Sequence, residues 1–144
     1  MELLLTRTIP AILEPLQAEG RILKPSLVHG DLWEGNTSTE AESHQPKIFD
    51  PAVFYAHNEY DFAAWRSDNV PFGAPYYQEY FKYIPVSEPK EQWDDRNKLY
   101  AIRGEVHHSS LWPTLRESQR KIGKSWKIIV IFVGQRADIS NLIV

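Results

Sequence analysis

The sequence predicts an α+β fold, mainly helical, with one short β-hairpin. Three observations predict it. Apolar residues recur at helical spacing in three separate stretches, around Ile9, Tyr77 and Leu99. Two brief apolar runs, "SLV" and "KIF", are too short for helices and are closed by Gly and Pro. Between them lies a polar, turn-rich run, "TSTEAESHQP", at residues 37–46.

In chain order, Ile9, Ile12, Leu13 and Leu16 share one face of a first helix. Thr8 is expected to cap it and Pro10 to sit in its first turn. Pro15 should end or kink it, and Gly20 marks a stop. "SLVHGD" reads as a strand running into a loop, residues 37–46 as an exposed loop, and "KIFDP" as a second strand closed by Pro51. These two strands are expected to pair as a hairpin-like unit, with Asp31 before it and Asp50 after it. From Glu59 onward the reading is helical, and Tyr77, Tyr80, Phe81 and Ile84 again follow the helical spacing. A long helix is expected from about Glu91 to Leu111, led in by Ser87 and Pro89. It carries Leu99, Ile102 and Val106 on one side, and Pro113 stands just beyond it. Near the end, "WKIIVIFVG" is β-branched, strand-like and an aggregation hazard unless buried.

The 144 residues suffice for one ordinary domain, with 42% hydrophobic and 24% charged residues. No internal repeat or second domain is visible. The chain has no cysteine, which removes disulfides and thiolate metal sites and suits a reducing compartment. The opening "MELLLTRTIP" has too short an apolar run for a signal peptide, and its acid stands where a positive charge belongs. No stretch reaches the ~18 apolar residues of a membrane span. The expectation is a soluble, cytoplasmic protein. Residues 121–144 carry +3 and the remainder −6, within a net charge of −3. So acidic a body disfavours nucleic acid as a partner.

The densest chemistry is "VHGDLWEGN" at residues 28–36. Asp31, Asn36 and Asp50 form an ordered set. Phosphoryl transfer from ATP needs a carboxylate to take the attacking hydroxyl's proton, and a neutral oxygen ligand plus a second carboxylate for Mg²⁺. Hairpin strands between Asn36 and Asp50 would return the three side chains to one point. Taken singly, each has a simpler reading: an Asp after Gly forms turns, and an Asn is an ordinary loop residue. His107 and His108 are adjacent on the long helix and point to different faces, which argues against a shared metal.

The spacing resembles the catalytic loop of protein kinases, an Asp with an Asn five residues later and then a metal-binding Asp. "HGD" with "DP" is the variant of small-molecule kinases of the aminoglycoside phosphotransferase type. "HGDLWEGN", "FDPAVFYAHNEYDFA" and "YYQEYF" resemble the fructosamine kinase family, the ketosamine 3-kinases that include protein-ribulosamine 3-kinases. The resemblance covers roughly residues 1–120. It implies the C-terminal lobe of a protein-kinase-like fold, with residues 121–144 as a divergent tail. It also implies ATP-dependent phosphorylation of the 3-hydroxyl of ribulosamines or fructosamines on proteins, a deglycation repair. On that resemblance Asp31 is the base, and Asn36 and Asp50 hold Mg²⁺ and ATP. His29 braces the loop and Trp33 lies against the sugar adduct. Asp61 caps a helix or braces the catalytic loop, while His57 and Glu59 are structural polar groups.

Two departures are visible. The seven glycines, at 20, 30, 35, 73, 104, 123 and 134, form neither G-x-G-x-x-G nor G-x-x-x-x-G-K-[ST]. The expected nucleotide-clamping N-terminal lobe is thus missing from this sequence, and weak Mg-ATP binding by the chain alone is the expectation. The basic tail also replaces an expected helix. Two readings follow: a family kinase represented by part of its chain, or a non-catalytic remnant acting as an interaction module. A metallophosphoesterase would need an Asp-x-His, and none occurs.

Overall fold

The computed structural model describes residues 2–66 and 70–111, with side chains through Gly104. Among these, helices dominate and two small antiparallel sheets carry the strands, so the α+β, mainly helical expectation holds. The strand-like run at residues 126–134, Pro113, and the side chains of Val106, His107 and His108 lie outside the described residues.

The first helix is continuous from Leu4 to Gln17 but changes pitch twice. A π turn at Leu4–Thr8 leads into α1 (Ile9–Leu13), and a 3₁₀ turn at Glu14–Gln17 ends it. The wide turn lies just ahead of Pro10, which has no N–H to donate, and the tight one contains Pro15. Thr8 was expected to be the cap; it is instead a buried residue inside the helix, with helical φ and ψ and no side-chain cap bond. The chain reverses through Glu19 and Gly20, both left-handed. Arg21 Nε then caps the Pro15 carbonyl at 2.9 Å.

Strand β1 (Ser26–Val28) pairs antiparallel with β4 (Phe54–Ala56), placing Leu27 opposite Tyr55. Strand β2 (Thr37–Thr39) pairs antiparallel with β3 (Pro46–Ile48), placing Thr37 opposite Ile48. The predicted hairpin therefore exists between Asn36 and Asp50, but with different partners. "SLV" is not one of its strands, and its first strand comes from the run expected to be all loop. The threonines of "TST" are β-branched and tolerate a sheet exposed on both faces, which a polarity reading misses.

A nine-residue 3₁₀ segment, Asn58–Arg66, follows β4. Helix α2 (Ala74–Tyr80) comes next, then a 3₁₀ turn at Lys90–Gln92 and the long α3 (Trp93–Leu111). Helix α2 is shorter than expected, so Ile84 lies past its end and is exposed. Among the described residues, two clusters form the core. Leu4 and Ile12 pack with Leu99 and Ile102 of α3, flanked by Ile9 and Leu13. Phe62 is fully buried among Trp65, Tyr77, Tyr80 and Phe81, with ring centroids 4.6–5.6 Å away. Burying one such large apolar side chain contributes about 1.5–3 kcal/mol.

Candidate active site

The loop between β1 and β2 holds the motif residues. Gly30 is left-handed at φ +79, and a Cβ there would stand 2.4 Å from the Ala52 carbonyl oxygen and 2.8 Å from the Phe54 ring. Only glycine lets the loop lie against the strand that follows Asp50. Asp61, from the 3₁₀ segment, then grips it from below. Its carboxylate accepts the His29 N–H at 2.9 Å and the Gly30 N–H at 2.8 Å. Trp65, four residues on, donates its indole N–H to the Leu32 carbonyl at 2.9 Å.

Asn36 is buried and donates through Nδ2 to Asp31 twice, to the main-chain oxygen at 2.8 Å and to Oδ2 at 3.1 Å. The β2–β3 hairpin brings the chain back. The Phe49 N–H bonds the Asn36 carbonyl at 3.1 Å, and the Phe49 carbonyl lies 3.0 Å from His29 Nε2. Asp50 follows directly, left-handed at φ +54, with Pro51 disfavouring the right-handed helical region before it. The main chain of Phe49, the residue before Asp50, is thus tied to Asn36 and to His29. The Asp31 and Asp50 side chains are exposed. Trp33 is 41% exposed, its ring folded over Gly35, where a Cβ would meet it at 2.4 Å.

Behind the site stands a polar core. Glu59 and Arg96 are both fully buried and joined by two bonds, at 2.7 and 2.9 Å. Arg96 also donates to the Ser87 and Pro89 carbonyls, and Glu59 accepts the Ser87 N–H. His57 lies between Tyr100 Oη at 2.8 Å and Ser87 Oγ at 2.9 Å. Burial pushes its pKa down, Glu59 opposes that shift, and Arg96 adds to it. Burial likewise pushes the Tyr60 and Tyr100 hydroxyls up, offset at Tyr60 by Arg103 over its ring. Sequence reasoning set Glu59 and His57 aside as structural polar groups but missed Arg96, Asn97 and Trp65. The sequence carries no signal for Arg96 or Asn97, since charged and amide residues on a helix read as solvent-facing.

Asn36 commits its nitrogen to Asp31, which turns its side-chain oxygen away from that residue, and Asp50 carries an exposed carboxylate; oxygen donors of this kind are the ones a hard divalent cation takes. Among the described residues no three His, Cys, Asp or Glu side chains converge as a metal cluster. Nor is any helix there long and apolar enough to cross a membrane.

Comparison with known proteins adds a family. The fructosamine kinase family model matches residues 5–122. The chain is 37% identical over 95 residues to a rice (Oryza sativa subsp. indica) protein-ribulosamine 3-kinase, chloroplastic, covering 65% of this chain and 26% of that one. The Arabidopsis thaliana protein of the same name gives 37% over 95 residues, 65% and 27%. A mouse ketosamine-3-kinase gives 37% over 84 residues, 58% and 25%. The chain therefore spans about a quarter of the length of these curated relatives. A crystal structure from Haemophilus somnus 129PT, of a protein named as a fructosamine-3-kinase, shares the fold with a TM-score of 0.58 at 22% identity. That match covers 88% of this chain and 39% of the other. The chain belongs to the fructosamine kinase family.

Proposed function

We propose that this chain carries the catalytic centre of an ATP-dependent ketosamine 3-kinase. Residues 1–120 are read as the C-terminal lobe of a protein-kinase-like fold of the aminoglycoside phosphotransferase type, and 121–144 as a divergent tail. One observation carries the reading: Phe49 bonds both Asn36 and His29, so the hairpin returns Asp50 to the loop that holds Asp31. Phosphoryl transfer needs a base and two oxygen ligands together, which is the set this loop and hairpin carry. The names of the rice, Arabidopsis and mouse relatives supply the substrate class.

In this reading Asp31 takes the proton of the sugar 3-hydroxyl as that oxygen attacks the terminal phosphate of ATP, and ADP leaves. Asn36 holds the carboxylate through Oδ2, so the orientation of the base is fixed before substrate arrives. Asn36 and Asp50 would hold Mg²⁺, which supplies charge neutralisation at the phosphates. His29 and Asp61 keep the loop in shape, and Trp33 offers its exposed face to the sugar adduct. The substrates are ketosamines on glycated proteins or as small molecules. Nucleic acid and membrane are not partners in this account, and the cysteine-free sequence fits the cytoplasm.

Phosphorus NMR tests the reading. The chain is mixed with Mg-ATP and ribulosyl-lysine, and the 3-phosphate is followed with Asp31→Asn as control. A product that disappears in the control supports the kinase. A product that persists in it removes Asp31 from the chemistry. No transfer would leave the family membership standing, and the test is then repeated on a chain of its relatives' full length.

A further inference from the structure

The 3₁₀ segment Asn58–Arg66 has two working faces. The Glu59 and Arg66 side chains and the Phe62 main-chain carbonyl meet α3. Glu59 pairs with buried Arg96, the Phe62 carbonyl accepts Asn97 Nδ2 at 3.1 Å, and Arg66 donates to Asn97 Oδ1 at 3.0 Å. Asp61 and Trp65 turn the other way and hold the motif loop at His29, Gly30 and Leu32. The two sets interleave along one tight helix, so the segment cannot shift on α3 without moving the loop. Arg96 and Asn97 are both 0% exposed, and they are the α3 residues bonded to Glu59 and Phe62.

We propose that Arg96 and Asn97 are positioning residues for Asp31. They fix the 3₁₀ segment, which fixes the backbone of the loop on which the carboxylate is mounted. They touch neither substrate nor ATP. A buried ion pair is a poor source of net stability compared with apolar packing, but it fixes one geometry among many. Here that geometry is the register of Asp61 beneath His29 and Gly30. The inference rests on the kinase reading only in naming Asp31 as the reacting group.

The test follows two readouts in the 144-residue chain: amide exchange at His29 and Gly30, and phosphotransfer to ribulosyl-lysine. The Phe49 amide is the internal reference, since it bonds Asn36 rather than the segment. Asn97→Ala and Arg96→Met are expected to speed exchange at His29 and Gly30 about tenfold relative to Phe49. The same variants should lower kcat about tenfold or more while KM for the ketosamine stays within about threefold. Arg96→Lys should recover part of both effects. Equal acceleration at all three amides in Asn97→Ala, which leaves the Glu59–Arg96 pair intact, would mean a merely structural role and overturn the proposal. So would a folded Arg96→Met with unchanged exchange at His29 and Gly30. If Arg96→Met does not fold, Asn97→Ala decides, because it removes one amide and leaves the ion pair intact. If the unmodified chain transfers no phosphate, the kinase reading passes to a chain of its relatives' full length, and the exchange pattern still decides the positioning.

Discussion

Asn36 spends one amide nitrogen on two oxygens of Asp31, the main-chain carbonyl at 2.8 Å and the carboxylate at 3.1 Å. The bond orients the amide as well as the acid, because a nitrogen facing Asp31 turns the amide oxygen away from it. In the proposed reaction this one contact would serve two roles, holding the base and freeing an oxygen for the metal.

Asn36→Ala removes both roles. A hydrogen bond to a charged group is worth about 1.5–3 kcal/mol, so phosphotransfer should fall by about 10²-fold or more. Asn36→Asp should lose comparable activity, since a second carboxylate would repel Asp31 instead of donating to it. Steady-state kinetics on both variants check this, and an active Asn36→Asp would contradict it.

Gly30→Ala should be far more damaging than Gly20→Ala. Both glycines are left-handed, but the space at Gly20 is open for 4 Å while Gly30 faces Ala52 O at 2.4 Å. The left-handed conformation alone costs about 1–2 kcal/mol, which Gly20→Ala should show in urea unfolding. Gly30→Ala should exceed that and displace the loop.

Arg96→Met should lower stability by about 3–5 kcal/mol, because it strands the buried Glu59 carboxylate without its partner. The exposed pair of Arg66 with Asp94 is a useful contrast, and Asp94→Asn should cost less than about 1 kcal/mol. Chemical denaturation of the two variants side by side measures the difference.

His57 sets a pH dependence. Burial, with Arg96, holds its pKa below the usual 6.5 against the pull of Glu59. In acid the unfolded chain takes up a proton that the folded chain refuses. The contribution to stability is complete above pH 6.5 and is lost as pH falls from there through the folded value. His57→Gln should flatten that slope. Unfolding curves at several pH values for both proteins, with parallel slopes, would rule the histidine out.

Much of this architecture was legible in the sequence because it is periodic. Ile9, Ile12, Leu13 and Leu16 announce the first helix, and Leu99 with Ile102 announce the face of α3 that meets it. The motif spacing foretold that Asn36 and Asp50 flank a hairpin. The pairing of "SLV" with Phe54–Ala56 was not legible, since three-residue strands carry too little pattern to name a partner. Thr8 as a cap failed because the helix begins earlier, and the wide turn ahead of Pro10 takes Thr8 into its interior. Arg96 was hidden for a different reason. An arginine in a helix reads as solvent-facing, and only the position of Glu59 in three dimensions makes its burial affordable.

The most direct measurement is where a paramagnetic Mn²⁺-ATP probe broadens the amide spectrum. The account predicts broadening centred on residues 30–36 and 49–51, abolished by Asp50→Asn and weakened by Asn36→Ala. Broadening centred elsewhere, or unchanged in Asp50→Asn, would contradict the claim that Asp31, Asn36 and Asp50 form one metal-assisted phosphotransfer site.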